Sequence, residues 1–293
     1  MRHDEQVPPR RQPPSARLRT LAAALRRYRA NAGLSQEDVA AETSVNVTTL
    51  YRIETGRTKP QARTLKALLA AYQVPPTERA TLLDLLKHAS KKSWLNTDTD
   101  LPEQYTAYIN FEEEAREILN AETIFVPGLL QTRDYATAVI TGVLPFATAE
   151  EVQERVDARM TRQRLLAASP SSSSPHFWAV IDEAALHRRV GGTAVMRDQL
   201  RHLADQARQP NITLQVVPFD AGAHPGMPGS FVILRFGALA PDIVYIDSMG
   251  GDLFLEEEEE LARHNMVFEH LRAVALAPQE TITLLTTLSE DPN

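Results

Sequence analysis

The chain has 293 residues, 31 Lys plus Arg against 38 Asp plus Glu, and a net charge of −7, so it can hold more than one core and is too acidic overall for a general nucleic-acid coat. The charge is unevenly divided: residues 1–92 hold 17 basic and 8 acidic side chains, net +9, and the remainder 14 and 30, net −16. The absence of cysteine excludes disulfides, thiolate metal sites and thiol catalysis, and no apolar run approaches the ~20 residues that span a bilayer.

Residues 1–14, MRHDEQVPPRRQPP, are polar and Pro-rich, which predicts a disordered arm. Leu18, Leu21, Leu25 and Tyr28 recur at three- and four-residue steps, predicting an amphipathic helix over Ala16–Ala32 that Gly33 ends. In the next stretch, Leu34 to Pro60, Ser35 and Asp38 form a helix start, and a short helix is expected over Gln36–Glu42. Thr43 and Ser44 suit a turn, Asn46 caps a second helix running to Glu54, and Gly56 stops it. Val39, Ala40, Val45, Leu50 and Ile53 pack the two helices together and leave Val47, Thr48, Thr49 and Arg52 outside. That is a helix-turn-helix. A fourth helix is expected over Ala62–Tyr72, with Leu65, Leu68, Leu69 and Tyr72 on one face, and a fifth over Thr77–His88. The fifth carries Leu82, Leu83, Leu85 and Leu86, more than one stripe needs, which predicts burial on two sides against the second domain or another subunit.

Residues Ala16–Val74 resemble the phage-repressor-like XRE family, through Leu34, Ser35, Gln36, Ala40, Val45, Arg52, Ile53, Glu54, Gly56 and Pro60. The resemblance implies a five-helix all-α DNA-binding domain over residues 15–90 whose second motif helix enters the major groove. By it, Asn46, Val47, Thr48, Thr49 and Arg52 meet the site, Val47 through a thymine methyl and the Thr hydroxyls by hydrogen bonds. Gln36 corresponds to the family's backbone-clamping Gln, Arg57 and Lys59 flank the site as phosphate contacts, and Arg29 with Glu54 corresponds to a structural ion pair.

Residues 91–102 are expected to form a linker, anchored by Trp94, before a larger α+β domain over 103–290. Its predicted elements are a helix Tyr105–Asn120, a strand Thr123–Val126, a turn at Pro127–Gly128, a helix capped by Thr132 and running to Thr141, and a helical face bearing Arg155, Arg159 and Arg162. That face reads as a solvated stripe with Glu151 pairing Arg155. Then come a mobile loop at 169–175 (SPSSSSP), a strand Phe177–Ile181, a helix Thr193–Gln209, the half-buried strand NITLQVV, the central strands FVILRF and IVYI, and a helix whose solvated first turn is the Glu256–Glu260 run.

The pieces VPGLLQTRDYA, DEAALHRRVGG, ITLQVVPFDAGAHPGMPGSFVILRF and Ile243–Ile246 resemble the C-terminal domain of the streptomycete WhiJ group of antitoxin-like regulators. That resemblance implies a transcriptional regulator modulated by a small partner protein encoded nearby; one recognition helix reads too few bases, so a homodimer on an inverted-repeat operator in double-stranded DNA is expected, and the lack of an apolar signal or spanning run predicts a cytoplasmic protein. No cofactor or metal is expected, and no membrane. Two other readings stand beside it. A small-molecule effector would use the loop Asp220–Ser230, where Phe219, His224, Met227 and Phe231 could line a pocket. An enzyme would draw on Asp182, Glu183, Asp247, His187 and His224, but HExxH, GxSxG and Walker-type patterns are absent and catalysis is not expected.

Overall fold

The computed structural model describes residues 16–88, 101–167, 174–237, 241–248 and 251–290; the expected arm, the 169–175 loop apart from its last two residues, and most of the linker with Trp94 lie outside these. Two compact units divide the chain, one of residues up to 91 with 102–110, the other of 92–101 with residues from 111 on. Among the described residues no helix is long and apolar enough to cross a membrane.

The first unit contains α1 (Ala16–Asn31), α2 (Gln36–Thr43), α3 (Val47–Glu54), α4 (Ala62–Ala71) and α5 (Pro76–His88). Local chemistry sets its boundaries. Ser35 and Asp38 form a capping box at α2, each side chain bonding the other's backbone amide. Ser44 adopts the left-handed conformation (φ 59°) that ends α2, and Asn46 Oδ1 accepts the Thr48 amide at 2.8 Å to start α3. Gly33 and Gly56 take the positive φ that turns the chain after α1 and α3. Leu21, Leu25, Val39, Leu50, Ile53, Leu65, Leu68 and Leu69 form the core. All four leucines of α5 join that same core, Leu82 and Leu86 buried and Leu83 and Leu85 packed at its edge. Within this unit α5 packs on α1 and α4, and the wide stripe fits the groove between two helices.

The chain continues through α6 (Glu103–Glu114), β1 (Glu117–Glu122), α7 (Arg133–Val143), α8 (Ala149–Arg162), β2 (His176–Asp182), α9 (Glu183–His187), α10 (Thr193–Gln206), β3 (Ile212–Val217), β4 (Phe231–Arg235), β5 (Ile243–Ile246), β6 (Leu253–Leu255), α11 (Glu258–Val274) and α12 (Pro278–Glu290). The strands form a mixed sheet in the order β3-β2-β1-β4-β5-β6. β1, β2 and β3 run parallel, joined by helical crossovers; β4, β5 and β6 add antiparallel strands on the other side of β1. Leu119, Ala121, Val180, Val217, Phe231, Ile233 and Val244 pack against Phe268 and Leu271 of α11.

Three expectations change here. The predicted helix 105–120 ends at Glu114 and the predicted strand 123–126 is replaced by β1 at 117–122. Ile118 and Leu119 fit a helical stripe, but Arg116 is captured by β-type bonds, its amide donating to Arg235 O at 2.8 Å and its carbonyl accepting from His176 N at 2.9 Å. Pairing on both sides then outweighs local propensity. β3 is not half solvated: Gln215 is buried, accepts from Trp178 Nε1 at 3.0 Å and donates to Leu276 O at 2.9 Å. Finally β6 and α12 were not foreseen. α12 protects the β3 edge, where Val216 N donates to Thr281 Oγ1 and Leu276 N to Val216 O.

Candidate nucleic-acid interface

On α3 the inward positions Leu50 and Ile53 are fully buried, which turns Thr48, Thr49, Tyr51 and Arg52 to solvent with Val47 half-buried. Arg57 and Lys59 follow in an exposed loop held by a bond from Thr58 N to Arg52 O at 3.1 Å. Of the expected set only Gln36 and Val47 are not exposed, and Asn46 gives its side-chain oxygen to the α3 cap.

What holds this surface is a buried carboxylate. Glu54, at the end of α3, is 1% exposed and accepts four hydrogen bonds. Arg29 from α1 donates Nε to Oε1 at 2.7 Å and an Nη to Oε2 at 3.1 Å; Gln36 from α2 donates to Oε2 at 2.8 Å; the Tyr72 hydroxyl, just after α4, donates to Oε1 at 3.2 Å. The Arg29 pair matches the expectation, whereas Gln36 turns its amide inward to Glu54. Four helices meet on one charge. The hydrogen bond to Glu54 holds the Arg29 guanidinium above its ordinary value, and burial, with Glu54 adding to it, drives the Tyr72 hydroxyl far up. A second Arg29 Nη donates to Leu34 O at 2.9 Å, tying down the entry to α2. Sequence reasoning missed Gln36 and Tyr72 as partners of Glu54, because neither spacing nor type marks a contact between helices. It also left out Tyr51, which is 46% exposed on the outer face although its place one turn after Val47 was readable.

In the second unit four of the expected carboxylate and histidine groups, Asp182, Glu183, His187 and His224, pair off at one junction. At the end of β2, Asp182 Oδ1 caps α9 through Ala184 N at 2.8 Å while Oδ2 meets His224 Nε2 at 3.0 Å. Glu183 accepts Phe219 N at 2.7 Å and pairs with His187 at 3.1 Å. These bonds pin the 219–230 loop to the β2–α9 junction. Phe219 and Met227 are 58% and 60% exposed whereas Phe231 is buried. Phe231 lies edge-on to His264.

Asp247 follows β5 at the same carboxyl edge of the sheet, where it acts on Glu122 and Asp252. Burial is the main force that pushes the Glu122 carboxyl up to about 7; Asp247 adds to it, and bonds from Ser230 and Asn120 oppose it. Burial also raises Asp252 and Asp242. Among the described residues no group of three His, Asp or Glu side chains is arranged to hold a metal.

The solvated Arg stripe on α8 is corrected as well. Arg162 is 5% exposed and forms a bidentate pair, both bonds 2.8 Å, with Glu112, itself 1% exposed. Arg159 donates to Gln131 at 2.9 Å, and Arg155 reaches the Glu151 carbonyl at 3.3 Å rather than its carboxylate. The face is wide enough to point one end into the protein, which charge patterning alone does not show.

Residues 20–82 match the helix-turn-helix domain family, and residues 105–287, more than half of the chain, match a domain of unknown function, DUF5753. No curated protein and no solved structure matches the chain. The chain therefore belongs to the DUF5753 family, carrying that domain behind an N-terminal helix-turn-helix domain.

Proposed function

We propose that the protein is a sequence-specific DNA-binding transcriptional regulator of the XRE type, antitoxin-like, acting as a homodimer on an inverted repeat. The observation that carries this reading is the outer face of α3, where Thr48, Thr49 and Arg52 stand free of the core on a helix locked by Glu54. Basic Arg57 and Lys59 flank that face, and residues 1–92 carry net +9, as phosphate contact requires. One such helix reads too few bases for useful specificity, so two copies ~34 Å apart are the natural arrangement.

The second domain, in this reading, binds a small partner protein encoded nearby that modulates DNA binding, and it is not an enzyme. Support comes from Asp182 and Glu183, which spend their oxygens on a helix cap, a loop amide and two histidines. Genome-wide occupancy of the tagged protein tests the reading, followed by binding to the recovered site at one fixed salt concentration. Arg52→Ala and Thr48→Ala should each weaken binding by about 5- to 100-fold, the value of a base contact of ~1–3 kcal/mol. A recovered site whose affinity neither variant changes would overturn the assignment of α3.

A further inference from the structure

Positions 47, 51 and 55 recur at four-residue steps on α3, so Tyr51 stands one turn, ~6 Å, beyond Val47 along the outer stripe. Its ring is 46% exposed, and the Arg57 guanidinium lies over it, 5.8 Å from the centroid. Gly56 makes this possible: its positive φ of 70° reverses the chain after α3, and the bond from Thr58 N to Arg52 O holds the reversal, so the Arg57 side chain lies back along the helix it follows.

A guanidinium is planar with all its N–H donors in the plane. Held near a ring face by cation–π attraction, it keeps N–H donors free to grip a phosphate with two hydrogen bonds. The ring also limits the positions of a long, exposed side chain that binding would otherwise have to immobilise.

We propose that Tyr51 and Arg57 form a phosphate clamp on the wall of the DNA groove, in which Arg57 takes a backbone phosphate and Tyr51 is the positioning residue that holds the guanidinium beside its ring. This rests on the DNA-reading role of α3 given above. The clamp sets affinity and register on the duplex and adds little to base preference.

The test measures affinity of the full chain for its recovered site as a function of salt. Arg57→Ala should lower affinity about tenfold at moderate salt and reduce the slope of log affinity against log salt by about 0.9, the loss of one phosphate. Tyr51→Ala should weaken binding ~3- to 10-fold with a shallower slope, whereas Tyr51→Phe, which keeps the ring, should stay within about twofold of the parent. The double variant Tyr51→Ala/Arg57→Ala should bind no more weakly than Arg57→Ala alone. Unchanged affinity and slope in Tyr51→Ala, additive effects in the double variant, or equal losses in Tyr51→Phe and Tyr51→Ala would each overturn the clamp. Insensitivity to Arg52→Ala as well would instead bring down the reading of α3. Both residues are exposed, and melting curves matching the parent's establish that the variants are folded.

Discussion

Glu54→Gln changes one atom in the first unit and should loosen four helices. Arg29 engages both carboxylate oxygens, so whichever oxygen becomes nitrogen, an Arg29 N–H is left facing another N–H. Tyr72 shares Oε1 and Gln36 shares Oε2, so one further donor also loses its acceptor. Breaking a buried pair by removing one partner costs ~3–5 kcal/mol. Arg29 is 21% exposed and can recover some hydration, which places the cost near the lower end, about 2–3 kcal/mol. Hydrogen exchange on the full chain reads this by segment. Amides of α1 to α4 should exchange ~30- to 150-fold faster where global opening controls them, with those of residues 111–290 unchanged. Operator affinity should fall with them. A change under about threefold in α1 to α4, or equal acceleration in both units, would refute the idea that this carboxylate holds the motif together.

Three further substitutions probe the second unit. The Glu122 carboxyl titrates at about 7 in the folded chain against an ordinary 4.5, chiefly through burial, so its contribution to stability is complete below ~4.5 and is lost as the pH rises through about 7. That gap corresponds to about 3 kcal/mol at most and to ~1–2 after allowance for partial exposure. Glu122→Gln, which imitates the protonated form, should raise the denaturation midpoint at pH 8 and flatten the decline between about pH 4.5 and 7; a parent no steeper than the variant there would contradict it. Arg162→Met strands a buried Glu112 and should cost ~3–5 kcal/mol in urea unfolding, while Arg155→Ala stays within ~0.5. Similar losses in the two variants would show that the α8 arginines are equivalent after all.

Much of the first unit was legible because its signals are local. Ser35 with Asp38, Asn46 and the positive-φ glycines each act within one turn of their own position, and the three- and four-residue steps of leucine mark a single inward face. In the second unit the same reasoning placed β2, β4 and β5 well but misread Ile118 and Leu119, whose spacing fits both a helix and a doubly buried strand. Likewise Arg155, Arg159 and Arg162 look alike in sequence, and only their position relative to Gln131 and Glu112 separates an exposed cation from a buried one.

By itself, then, the sequence determined where helices start and stop, which face of α3 is left outside and how charge divides between the two units, since capping, periodicity and composition need no distant residue. Tertiary structure alone decided that Glu54 would gather Arg29, Gln36 and Tyr72, that β1 would be a strand, and that Asp182 would meet His224. Each of those outcomes depends on a partner many residues away, and a buried charge or strand is set by its partners rather than by its neighbours in the chain.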